Sequence, residues 1–330
     1  MTESIARVAA EYRGVYKVIT KDGELSAKIT GKQMFNANSR EDYPAVGDWV
    51  VLDKIFGENA VIVKVLPRKT ILTKKYSDKQ DAQIIATNID IAFIVESLDR
   101  DYNLNRLERY LVLTNEAKIT PVIVLNKVDL ISDGELIIKV DQIKKRFGDI
   151  EIILTSVVSE LGIKNLEKTI KSGKTYCFLG SSGVGKSSLI NMLLNKDKIK
   201  TEKISAITGR GKHTTTSREM YLLSNGGIVI DNPGTREVGM AHSESGINDV
   251  FDDIAMLSQK CKFSDCKHQN EPGCAVIKAM EQGLLDNNKY NNYLKLKKES
   301  DFYEMSDFEK RSKDKKFGKF IKKALTSLDR

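Results

Sequence analysis

The chain has 330 residues, 41% of them hydrophobic and 30% charged, which is typical of a globular protein with two or three domains. No apolar run is long enough to span a membrane, and the first residues lack the basic and then apolar order of a signal peptide, so we expect a cytoplasmic protein. The formal net charge of +8 favours a polyanionic partner and fits RNA, DNA or an anionic membrane equally well.

Residues from about 12 to 73 contain short β-rich runs that are separated by turn signals. These runs are residues 14–19, 25–30, 49–52 and 60–66, and they show no helical period. About five short strands in this length predict a small closed barrel of the OB type, which we place at residues 1–73. We expect Trp49, the single tryptophan, to lie in the barrel core.

From Gln83 the pattern changes to alternating buried strands and amphipathic helices. A strand at 89–95, a helix at 104–113 and a strand at 121–125 follow one another. This order is typical of an α/β domain with a parallel sheet covered by helices, which we place at residues 74–238.

A candidate guanine-reading loop follows the strand 121–125 and consists of Asn126, Lys127, Val128 and Asp129. The Asp129 carboxylate can accept hydrogen bonds from guanine N1–H and N2–H₂ together, whereas adenine has no proton at N1. Asn126 would brace the loop, and the Lys127 stem would lie along the base. A polar turn between a strand and a helix is the alternative. The next strand, 150–154, leads to Ser156, where GTPases place a second loop that contacts the base through backbone N–H groups.

A glycine-rich loop lies between a short buried strand, 175–179, and a run of helical spacing, 188–194. Backbone N–H groups can surround polyphosphate only where residues without a Cβ let the chain curl closely. Lys186 would reach the β- and γ-phosphates, and Ser187 would give its hydroxyl to Mg²⁺. A glycine-rich turn that caps an ordinary helix is the alternative. The loop consists of Gly180, Ser181, Ser182, Gly183, Val184, Gly185, Lys186, Ser187 and Ser188.

Two later segments fit the same triphosphate site. Residues 208–216 are glycine-rich and basic and predict a surface loop, in which Thr215 belongs to a threonine run that would hold Mg²⁺ and cover the γ-phosphate. A strand at 227–230 leads to Asp231, which would hold Mg²⁺ through water. The Gly234 N–H would then meet the γ-phosphate.

The glutamine with which many GTPases orient the attacking water is missing, because Thr235 occupies its position and threonine is too short. His213, beside the threonine run, is our candidate substitute. The predicted catalytic residues are therefore His213, Lys186 and Thr215. A solvated loop histidine is the alternative for His213.

The C-terminal third, residues 239–330, contains a cluster of soft metal ligands. Three cysteines and a histidine lie in one short segment of the chain. In a reducing compartment this clustering predicts one structural, tetrahedral zinc site rather than disulfides. The segment is too poor in apolar residues to fold by burial alone, so zinc would supply folding energy. Unrelated cysteines beside a surface histidine are the alternative. The four ligands are Cys261, Cys266, His268 and Cys274.

A basic tail at residues 310–323 carries eight Lys or Arg against one Asp, with apolar residues at roughly helical spacing. An amphipathic basic helix of this kind can lie on RNA phosphates or on a membrane surface. A solvated helix that packs its apolar stripe on its own domain is an equal alternative.

The order of the motifs is rotated relative to an ordinary GTPase, because the base-reading loop at Asn126 precedes the phosphate loop at Gly180. The rotation is geometrically permissible, since all these loops emerge at one edge of a parallel sheet. With these motifs in this order, the sequence closely resembles the circularly permuted, ribosome small-subunit-dependent GTPase A family. The other residues that carry the resemblance are 209–216, 231–234 and the cysteine/histidine segment.

The resemblance covers nearly the whole chain and implies three parts: an N-terminal OB barrel, a central permuted P-loop GTPase and a mainly helical C-terminal zinc domain. It further implies GTP binding with Mg²⁺, a catalytic histidine in the 208–216 loop, and a monomer that acts on rRNA in late maturation of the small ribosomal subunit, which stimulates hydrolysis. The sequence departs from the family at Asn232, where Ser or Thr is usual, and at Val157, where Ala is usual.

Two other functions remain open on sequence grounds. One is a zinc-stabilised RNA-binding scaffold whose nucleotide site is a slow switch. The other is a GTPase that binds a membrane surface through its basic tail, although we expect no membrane partner.

Overall fold

The computed structural model describes residues 4–12, 14–31, 35, 37, 39–74, 83–99, 102–194, 218–232 and 243–306, with isolated positions between 308 and 321. His213, Thr215 and Gly234 lie outside the described residues, as does most of the basic tail. The chain divides into two compact units, residues 1–238 and 239–330. In the described ranges, no helix combines the length and the apolar character that a membrane crossing requires.

The first unit contains thirteen described strands and four described α-helices. The strands are β1 (Ser4–Tyr12), β2 (Val15–Thr20), β3 (Gly23–Ile29), β4 (Trp49–Phe56), β5 (Asn59–Val65), β6 (Ile71–Lys74), β7 (Gln83–Thr87), β8 (Ile91–Ser97), β9 (Thr120–Asn126), β10 (Ile152–Thr155), β11 (Thr175–Leu179), β12 (Glu219–Leu222) and β13 (Ile228–Asp231). The helices are α1 (Leu104–Glu116), α2 (Asp133–Phe147), α3 (Ile163–Thr169) and α4 (Lys186–Leu194).

The first five strands form a closed barrel in the order β1-β2-β3-β5-β4, which β1 and β4 complete by pairing with each other. The predicted barrel is confirmed. Alternate residues of these strands point inward, and Val8, Tyr16, Val50 and Ile62 are among the side chains of its core. The barrel also contains β1, a strand that precedes the β-rich runs recognised in the sequence.

The expectation for Trp49 is wrong. Its side chain is 42% exposed on the outside of the barrel, because it begins β4 in the register that faces away from the core, while Val50 faces inward. The guanidinium carbon of Arg7, its partner on β1, lies 5.2 Å from the centre of the indole ring. The barrel core is built from aliphatic side chains and Tyr16 instead.

The α/β part of the unit is a six-stranded sheet in the order β10-β9-β8-β11-β13-β12. The first five of these strands are parallel, and β12 is antiparallel at the end. The central strands β8 and β11 are almost wholly buried, as their continuous apolar runs predict. Cys177 lies fully buried in β11, and the carboxyl ends of the parallel strands meet at one edge.

The barrel and the α/β sheet are joined in two ways. First, β12 pairs with β13 on one side and with the barrel strand β1 on the other, so that Glu219 faces both Asp231 and Ala10. Second, a buried polar cluster ties the barrel to the separate antiparallel pair of β6 and β7, whose end leads into β8 of the sheet. The Asp48 carboxylate of this cluster accepts two hydrogen bonds from Arg68, at 2.7 and 2.8 Å, and one from the Thr87 hydroxyl at 2.6 Å.

Further contacts complete this cluster. Arg7 donates to the carbonyl oxygens of Gly47 and Asn88, at 3.2 and 3.1 Å. A Cβ at Gly47 would collide with the Thr87 carbonyl, so the barrel loop can approach the strand β7 this closely only with glycine at that position.

The second unit, described by itself, contains α5 (Glu244–Val250), α6 (Asp252–Ser258), α7 (Ala275–Glu281) and α8 (Asn287–Glu304). The Asp286 side chain caps α8 by accepting from the Lys289 N–H. Phe251 and Tyr293 pack edge to face at 5.5 Å between ring centres, and Lys289 bridges to Asp253 at 2.8 Å. The mainly helical character that the resemblance implies is confirmed for the described part.

Candidate nucleotide site and zinc cluster

The loops at the carboxyl edge of the sheet are tied together by Asn126, which is buried at the end of β9. Its side-chain amide donates to the Val184 carbonyl of the glycine-rich loop at 2.8 Å, and its amide oxygen accepts from the Thr155 hydroxyl at 3.1 Å. A Cβ at Gly185 would collide with this amide. The structure therefore brings the predicted base-reading and phosphate-binding loops together, although 58 residues separate Asn126 from Val184.

The residues after Asn126 turn sharply. Lys127 has a left-handed backbone, with φ of 63°, and Val128–Leu130 form a single 3-10 turn. This turn leaves Asp129 exposed. Its carboxylate is therefore accessible to a ligand. The Lys127 ammonium contacts the carboxylate of Asp99 at 2.8 Å. Asp99 is a residue that the sequence analysis missed.

Ser156 is buried at the end of β10, and its own N–H donates to the Leu161 carbonyl at 3.0 Å. Its hydroxyl accepts from the Ser159 N–H at 3.1 Å. These two bonds shape the loop, so the Ser156 N–H is already used within it.

The glycine-rich loop curls around the ammonium of Lys186, which donates to the carbonyls of Gly180 and Ser181, both at 2.7 Å. Lys186 opens α4 and is buried. Burial lowers the pKa of this lysine to about 8, against the opposing effect of the Asp231 carboxylate. The loop therefore presents a desolvated cation where a polyphosphate would replace the two carbonyl contacts.

Asp231 is buried at the end of β13, next to this lysine. Burial raises the pKa of its carboxyl, whereas Lys186 and the nearby Ser187 hydroxyl lower it. Within the described part of the chain, neither of its oxygens makes a hydrogen bond of good geometry, and the amide of the adjacent Asn232 is also without a partner. Buried acceptors of this kind fit a hard cation, so Asp231 and Ser187 are suited to Mg²⁺.

The zinc ligands of the second unit converge. The ligand atoms of Cys261, Cys266, His268 and Cys274 all lie within 4.8 Å of one another. The sulfurs of Cys261 and Cys274 are 3.9 Å apart, and His268 Nδ1 lies 3.6 and 3.5 Å from them. A tetrahedral zinc with bonds of about 2.3 Å would separate its sulfurs by about 3.8 Å, so the four groups form a zinc-binding cluster as predicted.

Surrounding contacts orient these ligands. The Ala275 N–H points at the Cys261 sulfur at 3.4 Å, and the Ile277 N–H points at the Cys274 sulfur at 3.5 Å. The Glu271 carboxylate accepts from three N–H groups of the 267–270 loop, which lower its pKa to about 2. The two N–H groups that point at sulfur favour the thiolate form, and the Glu271 contacts hold the ligand-bearing loop in shape.

The comparisons with known proteins identify the family. Residues 65–241, more than half of the chain, match the family described as RsgA GTPase. The chain belongs to the RsgA GTPase family. It is therefore a GTP-hydrolysing enzyme, as predicted, and Mg²⁺ is expected to accompany its GTP.

Relatives and solved structures agree with the family. A protein of Bacteroides thetaiotaomicron named small ribosomal subunit biogenesis GTPase RsgA 1 is 40% identical over 96% of this chain and 89% of its own length. The crystal structure of YjeQ from Thermotoga maritima has a TM-score of 0.65 and 27% identity, over 89% of this chain and 97% of its own. YloQ, described as a circularly permuted GTPase, has a TM-score of 0.58 and 24% identity, over 89% of this chain and 93% of its own, and supports the fold.

The family and these folds confirm the permuted architecture that the motif order predicts. The sequence analysis missed Asp99 and Thr155, which contact the base-reading loop. Asp99 lies just beyond the carboxyl end of β8, and Thr155 lies at the carboxyl end of β10. Their position at the ligand-binding edge of a parallel sheet was the signal by which the sequence could have identified them.

Proposed function

We propose that this GTPase acts as a checkpoint in late maturation of the small ribosomal subunit, binding its rRNA and hydrolysing GTP faster when it is bound there. The main support is the Bacteroides thetaiotaomicron relative, whose name states small ribosomal subunit biogenesis and which matches 96% of this chain. The net charge of +8 suits an RNA partner. A scaffold with a slow nucleotide switch is not favoured, because the chain belongs to a GTPase family.

The proposed roles of the loops follow from their common position at the carboxyl edge of the sheet. Asp129 recognises guanine, Asn126 holds the base-reading loop on the phosphate loop, and the 180–188 loop binds the phosphates. Since the Ser156 N–H is engaged with Leu161, the Ser156 loop would meet the base through the N–H of Val157.

In the proposed metal site, Ser187 and Asp231 hold Mg²⁺, which supplies charge stabilisation to the transferring phosphoryl group when bound. Lys186 stabilises the same phosphates. His213 orients the attacking water and Thr215 covers the γ-phosphate; both roles rest on the sequence and lie outside the described residues. The Gly234 N–H meets the γ-phosphate on the same basis.

We further propose three domains, at residues 1–73, 74–238 and 239–330, in a cytoplasmic monomer without a membrane partner. The zinc ion supplies folding energy to the third domain. Its four ligands come from a short segment, which supports a structural rather than a catalytic role.

The proposal is tested by measuring GTP hydrolysis by the full-length protein with and without purified small ribosomal subunits, with ATP as the control substrate. We expect small subunits to raise GTP turnover by at least about tenfold, as an activator that completes the site would. ATP should not be hydrolysed. Unchanged GTP turnover with bound subunits, or equal use of ATP, would contradict the proposal.

A further inference from the structure

The Lys127 side chain is held by a carboxylate that lies outside the base-reading motif. Asp99, in the loop after β8, contacts the Lys127 ammonium through one carboxylate oxygen at 2.8 Å. Its other oxygen accepts a hydrogen bond from the Ser97 hydroxyl at 2.9 Å. About a quarter of each charged side chain is exposed, so the pair is partly shielded from water.

The backbone of the same two loops is also joined. Ser97 and Asn126 are register partners on the parallel strands β8 and β9, and the Leu98 N–H donates to the Asn126 carbonyl at 3.0 Å. Lys127 follows in its left-handed conformation. Both ends of the lysine are therefore fixed, the backbone by the strand ladder and the ammonium by Asp99.

We propose that Asp99 is a positioning residue of the guanine site, which holds the Lys127 stem extended before nucleotide arrives. This inference rests on the proposed guanine-binding role of residues 126–129. A free lysine loses rotamer entropy when it packs along a base, and the pair with Asp99 removes that cost in advance. Because Lys127 serves the base and not the γ-phosphate, the effect applies equally to GDP and GTP.

The test is Asp99→Asn in the full-length protein, which keeps the shape and an acceptor for Ser97 but removes the charge. We expect the dissociation constants of GDP and GTP to rise together by about three- to fivefold, the range for a partly exposed ion pair. The turnover number at saturating GTP should stay unchanged, so that only KM moves. The matched control is Asp141→Asn, which breaks the exposed Asp141–Lys145 pair of the same length on α2 and should leave both constants unchanged.

A second background separates positioning from a general structural role. If Asp99 acts through Lys127, then Asp99→Asn should add no further loss of affinity to a Lys127→Met protein. Unchanged or tighter binding by the single variant, or an equal loss in the Lys127→Met background, would overturn the inference. Wild-type protein that fails to bind guanine nucleotide would overturn the proposed function as well, whereas normal wild-type binding beside an unaffected Asp99→Asn would overturn this inference alone.

Discussion

Lys186 and Asp231 show how burial prepares single groups for charged ligands. Each is buried at the same edge of the sheet, and burial shifts each pKa towards the neutral form. Their mutual attraction opposes both shifts. A triphosphate beside Lys186 and a divalent cation beside Asp231 would each supply the missing opposite charge.

The pKa of Lys186 leads to a prediction about pH. With a pKa of about 8 in the nucleotide-free protein, the lysine is mainly charged at neutral pH and mainly neutral well above that value. Phosphates bind the charged form, so binding at alkaline pH must take up a proton. Above about pH 8, the affinity for GTP should fall by up to about tenfold per pH unit. Calorimetry in two buffers of different ionisation enthalpy would measure the proton uptake.

The triphosphate does not cause this change, because its last ionisation lies at about pH 6. The control is Lys186→Arg, whose guanidinium stays charged throughout, so that any binding it retains should be independent of pH in this range. Binding to wild-type protein at pH 9 without proton uptake would disprove the assignment.

At the scale of elements, the sequence predicts best where the signal is local. The buried strands β8, β9 and β11 are continuous apolar runs, and the glycine-rich loop can be recognised from its residue types and their spacing. The helix α2 was not recognised, although Ser132 and Glu135 form a capping box at its start. Of its residues only Ile143 is buried while Ile137 and Ile138 are exposed, so its apolar face is indistinct.

Trp49 shows that the sequence of a strand does not always determine which of its faces points into the core. Both faces of β4 carry apolar residues at its start, since Trp49 and Val50 are adjacent, and alternation alone does not say which of them faces inward. The pairing of β4 with β1 settles the register, and that pairing depends on the whole barrel.

The zinc cluster leads to a prediction at this scale. Replacing Cys274 with Ala removes one of the four ligands and the sulfur that accepts the Ile277 N–H at the start of α7. We expect the variant to lose bound zinc and residues 243–306 to become sensitive to protease, because metal binding and folding are coupled in such modules. Metal analysis and limited proteolysis would measure the two effects.

Cys177 provides the matched control, since it is a cysteine buried in β11 and is not among the four ligands. Cys177→Ala should keep one zinc per chain and an intact second unit. Full zinc content in Cys274→Ala would count against the assigned ligand set.

At the scale of the first unit, the joint between barrel and sheet was beyond sequence reasoning. The Asp48 carboxylate meets the Thr87 hydroxyl across 39 residues of chain, and the Arg7 guanidinium meets the Asn88 carbonyl across 81, and no local pattern encodes such contacts. The order of motifs nevertheless predicted the sheet edge, because the loops that follow parallel strands all emerge at the carboxyl edge of the sheet.

This joint leads to a prediction about stability. Asp48 is fully buried and receives hydrogen bonds from Arg68, Thr87 and the Ala45 N–H. Asp48→Ala leaves Arg68 without its counter-charge in a mostly buried position, so the free energy of unfolding should fall by about 3–5 kcal/mol. Urea unfolding followed by the fluorescence of Trp49, which lies in the barrel, would measure it.

The comparison variant is Glu24→Ala, which breaks the exposed Lys17–Glu24 pair on the same barrel. It should cost no more than about 1 kcal/mol. Equal effects of the two substitutions would show that the Asp48 cluster does not hold the first unit together.

The pairing of β1 with β12 can form only late in the synthesis of the chain. Ala10 leaves the ribosome early, but its neighbour Glu219 follows only about two hundred residues later, or roughly ten to forty seconds at ordinary translation speed. During that interval the far end of β1 is an open edge that another nascent chain can add to. The barrel therefore lacks its last paired strand until shortly before β13, the strand that ends in Asp231, is synthesised.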